Sequence, residues 1–266
     1  MKKLMIGLAA AGLCGAVFAD VTSANIVGYT TTQKVIPGYW YIMSASFENI
    51  SDPNMEYPIA DLVKGDITAG ETMETSARVQ VRVAGVAYGY WYNAKGNRTF
   101  VPGQGFVYSP AWCVDGSTEV ASDARIKNGQ GFWFIEPYKE STVTVSGQVV
   151  NQAKKSWPAG VYWDLACNPY PVAIGLNSDK LDCSQLTAGE TMETSARIQV
   201  RVDGVAYGYW YNAKGNRTFV PGQGFVYSPT WCVDGSTEVA SDAEIAIGQG
   251  FWLQNPTDGA ELGFNF

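Results

Sequence analysis

Apolar and polar positions alternate along much of this chain with a period of two. Val79, Val81 and Val83 alternate with Arg78, Gln80 and Arg82. After a two-residue break, Val86, Tyr88, Tyr90 and Tyr92 alternate with Ala87, Gly89, Trp91 and Asn93. Such alternation predicts half-buried strands, and the break predicts a hairpin. Val83 then faces Val86 and Val79 faces Tyr90. One face turns to the core, and the other sets Arg78 opposite Trp91, within cation–π reach. Helical spacing is scarce: residues 59–63 and 178–186 each have room for one short helical turn. Short strands separated by frequent turns predict an all-β fold, sandwich-like or a partly open barrel.

The hairpin lies in a duplicated block. Residues 68–124 recur at 187–243 with only Val79/Ile198, Ala84/Asp203 and Ala111/Thr230 changed. In the second copy the break reads Asp203-Gly204, a strong two-residue hairpin signal. The repeat continues weakly outward. Pro137 matches Pro256, Val143 matches Leu262 and Val145 matches Phe264. The expected organisation is a leader at 1–19, a β domain at 20–146 and a second at 147–266. The second would open with a strand at 147–155, answering one at 25–35. The string G-Q-G-F occurs at 103–106, 129–132, 222–225 and 248–251, each time running into alternating aromatics. Its glycines are expected to supply positive φ ahead of a strand. A phosphate cradle is the sharper alternative, but no G-x-G-x-x-G or lysine motif follows.

Composition narrows the chemistry. Lys2 and Lys3 precede an apolar stretch too short to span a bilayer, and Val17 and Ala19 give a small-x-small cleavage site, so export is expected. Cys14 does not read as a lipoprotein site, because Leu13 stands where a small residue is needed. No later segment is long and apolar enough to cross a membrane as a helix. The net charge is −7, and loss of the leader makes it more negative, which disfavours nucleic acid and anionic membranes as partners. With no histidine, His-based nucleophile systems and His-ligated metals are excluded. Nine Trp, 15 Tyr, 11 Phe and 29 Gly give a β-protein composition.

Four cysteines follow the leader. Cys113 and Cys232 are equivalent in the repeat, and each sits between Trp and Val; they either bridge the domains or stay free and buried, with burial favoured. Cys167 and Cys183 belong to the second copy alone, with Cys167 aligned to Ala45. A local disulfide between them is the expectation for an exported chain.

In order along the chain, Ser23-Ala24-Asn25-Ile26-Val27-Gly28-Tyr29, Asp66-Ile67-Thr68-Ala69-Gly70-Glu71-Thr72, Gly129-Gln130-Gly131-Phe132-Trp133-Phe134 and Thr142-Val143-Thr144-Val145-Ser146-Gly147-Gln148-Val149 stand together. In these the chain resembles a group of uncharacterised secreted proteins of the Verrucomicrobia and Lentisphaerae, with an S-A-N-I-V-G-Y opening and G-Q-G-F-W repeats. The resemblance covers most of the first domain and, more loosely, the second. It implies export and a β-rich fold, and no site residues.

Candidate chemistry is thin. Glu71 with Glu74, and Glu190 with Glu193, are the nearest approach to a catalytic carboxylate pair, but three residues apart on a strand they point to opposite faces. Asp115, Glu119 and Asp123, with Asp234, Glu238 and Asp242, lie in loops that match no calcium pattern. Ser76 and Ser109 have no His partner. Lys95 and Lys214 read as hairpin tips, and the sequons at Asn97 and Asn216 are not expected to be modified. No metal or cofactor is expected. The strongest binding candidates are Arg78, Trp91, Tyr92 and Trp112, with Arg197, Trp210, Tyr211 and Trp231 in the second copy. Flat aromatic rings beside Arg and Asn suit sugar faces, and two equal sites add avidity. The alternative is that these rings are core. The expected role is a non-catalytic surface or envelope protein, structural or adhesive, with envelope proteins or surface polysaccharide as partners. Carbohydrate binding is the second reading and a carboxylate hydrolase a distant third.

Overall fold

A computed structural model describes residues 28–46, 49, 56–83, 85–148, 154–202 and 205–265. The leader, the Asp203-Gly204 turn and most of the S-A-N-I-V-G-Y string lie outside these residues. The first module contains β1 (Gly28–Val35), β2 (Trp40–Ser44), β3 (Glu56–Pro58), α1 (Ile59–Leu62), β4 (Lys64–Gly65), β5 (Arg78–Val83), β6 (Val86–Val101), β7 (Gly105–Val114), β8 (Arg125–Lys127), β9 (Gly131–Ile135) and β10 (Ser141–Gln148). The second contains β11 (Lys154–Ala159), β12 (Asp164–Cys167), β13 (Ile174–Gly175), β14 (Leu181–Asp182), β15 (Arg197–Val202), β16 (Val205–Val220), β17 (Gly224–Val233), β18 (Glu244–Ile245), β19 (Gly250–Gln254) and β20 (Ala260–Asn265). The fold is all-β, as the alternation predicts.

The modules have the same topology, ten strands apart. A five-stranded antiparallel sheet runs β2-β9-β5-β6-β7 in one and β12-β19-β15-β16-β17 in the other. A three-stranded sheet, β1-β10-β4 or β11-β20-β14, and a two-stranded one, β3-β8 or β13-β18, complete each module. The predicted register is present: Val83 pairs with Val86, Val79 with Tyr90 and Arg78 with Trp91. Val79 and Val81 are buried with Met43, Phe132, Phe134, Val143 and Trp112, whereas Val83, Val86 and Tyr88 project at the exposed hairpin tip. A matching core gathers Ile198, Val200, Phe251, Leu253, Leu262 and Trp231.

Several elements differ from expectation. One helical turn forms at α1, but residues 178–186 form turns and β14 instead. The strand expected at 147–155 is two pieces: Gly147 and Gln148 finish β10 against β1, and β11 starts at Lys154. The G-Q-G-F strings are of two kinds. Gln104 and Gln223 lie at exposed β6–β7 and β16–β17 tips. Gln130 and Gln249 fasten turns: the Gln130 side chain accepts from Lys127 N at 3.1 Å and donates to Arg82 O at 3.2 Å, and Gln249 repeats this with Ala246 and Arg201. Gly103, Gly129, Gly222 and Gly248 do hold positive φ.

The modules meet through equivalent residues. Trp133 packs on Trp252, Arg82 lies over the Trp252 ring and Arg201 over the Trp133 ring. Met43 bridges to Gln249, and Ala166 bridges to Gln130. Because Met43 pairs with Phe132 as Ala166 pairs with Phe251, these two bridges are the same contact made in both directions. The interface is therefore isologous, as in a two-fold dimer, though both halves belong to one chain.

Candidate functional site

The predicted aromatic site is interior. Trp91 and Trp210 are each 4% exposed, Trp112 4% and Trp231 0%. The Trp91 indole N–H donates to Val114 O at 3.2 Å and Ser117 O at 2.8 Å, and Trp210 repeats both bonds with Val233 and Ser236. A polar tip tied to the backbone of an overlying loop is how a buried tryptophan is satisfied. Tyr92 and Tyr211, half-buried, pack against Trp112 and Trp231 with ring centroids 5.1 Å apart. None of the four indoles offers a face to a sugar. The expected cation–π pair also moves. Arg78 is in register with Trp91, but its guanidinium lies over Trp40 at 5.3 Å, and Arg197 lies over Trp163 at 5.3 Å. Trp40, Ile135, Arg78 and Trp91 form one row across β2, β9, β5 and β6, so Arg78 has an aromatic on either side. The loop after β7 covers Trp91, leaving Trp40 as the partner.

The expected Cys167–Cys183 disulfide is not formed, and all four described cysteines are thiols. Cys167 pairs with Gly250 as Ser44 pairs with Gly131, so its counterpart is Ser44 and not Ala45. It faces the first module, where its N–H donates to Gly129 O at 2.8 Å and where Ser44 and Ser46 lie beside it. Burial pushes its thiol up to about 12, against smaller opposing contributions from Ser46, Ala45, Ser44 and Gly129. Cys183 sits in the second core, accepting from the Trp231 indole N–H at 3.4 Å, and burial pushes it up to about 11. Cys113 and Cys232 are free and buried, as favoured from the sequence.

The other candidates have local roles. Lys95 pairs with Glu71 at 2.8 Å and Lys214 with Glu190 at 2.8 Å, all well exposed. Glu74 and Glu193 are held below the ordinary carboxylate range first by hydrogen bonds with their own backbone, then by Thr72 and Thr191. The Ser76 hydroxyl donates to Thr72 O at 2.6 Å. Arg197 pairs with Asp234 at 2.9 Å, and desolvation raises Asp115 against the attraction of Arg78. No group of three or more His, Cys, Asp or Glu suited to a metal occurs among the described residues.

The surface that sequence reasoning missed is a pair of projecting β arms. The ends of β6 and β7 continue beyond the core as a two-stranded ribbon. Arg98 pairs with Tyr108 and Phe100 with Phe106, so these four side chains share one face. Phe100 is 62% exposed, and Phe106, Val107 and Tyr108 are exposed too. The Arg98 guanidinium covers Phe106 at 3.5 Å, and the Phe100 and Phe106 rings meet edge-on at 5.5 Å. The second module repeats this with Phe219, also 62% exposed, Phe225, Tyr227 and Arg217.

The local sequence explains the projection. Between Asn93 and Asn97 the register shifts, so three residues of β6 face Pro110 alone. Proline has no N–H to give the ladder and suits an edge strand at such a bulge, and a bulge re-aims the ribbon beyond it. Gly96 allows the close approach, since a Cβ there would stand 2.9 Å from Ala111 N. Both β7 and β17 are outermost in their sheets, leaving an open backbone edge along each arm. The signal available in sequence was Phe-Val-Pro-Gly-Gln-Gly-Phe, an apolar turn where hairpin tips are normally polar.

Comparison with family models, with curated proteins and with solved structures finds no match to this chain.

Proposed function

We propose that this chain is an exported, non-catalytic surface or envelope protein, a tandem β module with a structural or adhesive role. The observation that supports it most is the pair of identical arms. Each carries exposed phenylalanines on one face and an open strand edge, features that soluble monomers normally suppress. The two stand on modules that meet through an isologous interface, so one chain presents two equal contact surfaces. Two-point attachment raises avidity without any new contact. An open edge favours a partner that adds a strand, which points to envelope proteins ahead of polysaccharide.

The test is a Phe100→Ser/Phe219→Ser chain compared with the natural one. Retention in the envelope fraction and self- or cross-association in sedimentation should fall at least tenfold, with the thermal midpoint nearly unchanged. Unaltered retention and association would overturn the reading. A glycan array probed with both chains tests the carbohydrate alternative, which now rests on Phe100, Phe106 and Tyr108 beside Arg98, since the tryptophans are interior.

A further inference from the structure

A cleft of about 370 Å³ lies beside α1 in the first module and is lined in part by Ala60, Tyr92, Ala111, Trp112, Ala121 and Ser122. The second module fills the corresponding space from within. Ile59 N donates to Ala124 O, and Leu176 N donates to Ala243 O, so Ala60 and Asn177, the next residues, occupy equivalent positions. The Asn177 side chain uses its full hydrogen-bonding capacity there. Its NH₂ donates to Trp231 O at 3.2 Å and to Ala240 O at 3.1 Å. Its carbonyl accepts from Trp231 N and from the Thr230 hydroxyl, both at 2.7 Å.

In the first module the backbone half of this cradle is retained and the plug is missing. Trp112 and Ala121 match Trp231 and Ala240, whereas Asn177 becomes Ala60 and Thr230 becomes Ala111. Tyr92 directs its own N–H and C=O to Ala77 and Gly70, so its partner Trp112 directs both groups away from β6. The Trp112 C=O already accepts from Ala121 N at 2.8 Å, as Trp231 O does from Ala240 N at 2.9 Å, and keeps its second lone pair for the cleft. Ala111/Thr230 is one of only three differences in the duplicated block, and it is the one that touches the plug.

From this we infer that the cleft is a binding site for a primary carboxamide, the side-chain group of an Asn or Gln presented by a polypeptide partner. The selectivity follows from geometry. The N–H and C=O of Trp112 lie on one side of the strand, so the ligand must present a carbonyl and an N–H syn to it. A primary amide has that N–H. A trans secondary amide, whether a peptide bond or the acetamido group of an amino sugar, carries carbon there. A carboxylate has no donor for the Trp112 and Ala121 carbonyls. Asn97 and Pro110, at the base of the first arm, also line this cleft, but carboxamide binding there does not depend on the proposed envelope role.

The test is a backbone ¹⁵N–¹H titration of the full chain with acetamide, N-methylacetamide and acetate, then with Gly-Asn-Gly and Gly-Asp-Gly. Acetamide should shift the Trp112 amide saturably, and the other two small probes should not. Gly-Asn-Gly should bind about tenfold more tightly than Gly-Asp-Gly, the worth of one to two net hydrogen bonds. Ala60→Asn/Ala111→Thr, which copies the second module, should abolish the response, as should Ala60→Leu if the first variant folds poorly. Asn177→Ala/Thr230→Ala should make the Trp231 amide respond. Equal responses to acetamide and N-methylacetamide, or a response that survives both Ala60 variants, would overturn the site.

Discussion

The Trp133 and Trp252 rings meet with centroids 5.9 Å apart, and each is covered by the other module's arginine, Arg201 and Arg82. They are equivalent residues, so the contact is a residue meeting its own copy. The backbones close tightly beside it: a Cβ on Gly131 would stand 2.6 Å from Ala166 O, and one on Gly250 would stand 2.8 Å from Met43 O. Ala166 O and Met43 O are backbone atoms that cannot swing aside, and the Ile42 Cγ2 methyl stands nearer still to the Gly250 position. Gly131→Val should therefore part the modules while leaving each core intact. The expected result is a larger radius of gyration by small-angle scattering and two unfolding transitions, against a single one expected for the natural chain. Unchanged scattering would mean that the interface does not hold the modules together.

Substitution of the interior tryptophans tests stability and not ligand binding. Trp91→Ala removes a buried ring and its bonds to Val114 and Ser117, at a cost of about 3–5 kcal/mol. Trp210→Ala should cost the same, because its bonds have the same lengths to within the values given for Trp91. Denaturant midpoints of the two single variants should agree closely. A stable Trp91→Ala chain that lost only glycan affinity would restore the sugar-site reading.

The cysteines set an alkaline limit. Cys167 and Cys183 are protonated in the folded chain up to about 12 and about 11, held there by burial. An unfolded thiol ionises near about 8.5. Below that value neither state loses a proton and the full stability is present. As pH rises above it, the unfolded chain releases protons that the folded chain keeps, so stability falls. Urea midpoints under reducing conditions should drop between pH 8 and 10.5, and a Cys167→Ala/Cys183→Ala chain should show a shallower decline. A non-reducing mass map should find all four cysteines alkylated only after denaturation. A Cys167–Cys183 disulfide peptide would contradict the structure.

The fold was largely legible because it is written in local alternation and in a repeat. Val79, Val81 and Tyr90 marked the core face, and the Asp203-Gly204 signal agrees with the Val202–Val205 pairing that flanks it. What was not legible depends on contacts distant in sequence. Trp91 and Trp112 sit on opposite faces of their sheet, and which face is covered depends on the loop after β7 and on the core beneath. Cys167 reads as half of a local pair until β12 is seen closing against the first module. The arms were missed because alternation there predicts a strand equally well whether or not anything packs on it.

Asn177 and Thr230 are joined by a hydrogen bond at 2.7 Å in the second module, and their coupling is measurable. Thr230→Val removes the hydroxyl that donates to the Asn177 carbonyl at 2.7 Å but leaves the Trp231 N–H bond in place. The expected cost is about 0.5–1.5 kcal/mol. Asn177→Ala opens the space to water, as Ala60 does in the first module, and loses all four bonds. Because water then satisfies part of the cradle, its cost should be about 1–3 kcal/mol and not four times that of one bond. Once Asn177 is gone, the Thr230 hydroxyl has lost its carbonyl acceptor, so Thr230→Val in that background should cost little. A double-mutant cycle on denaturant midpoints should therefore give a coupling of about 0.5–1.5 kcal/mol. The corresponding Ala60→Asn/Ala111→Thr cycle should give a coupling of the same sign, the pair stabilising by more than the sum of the two single changes. Additive effects in both cycles would mean that the carboxamide does not sit in the cradle as a hydrogen-bonded plug.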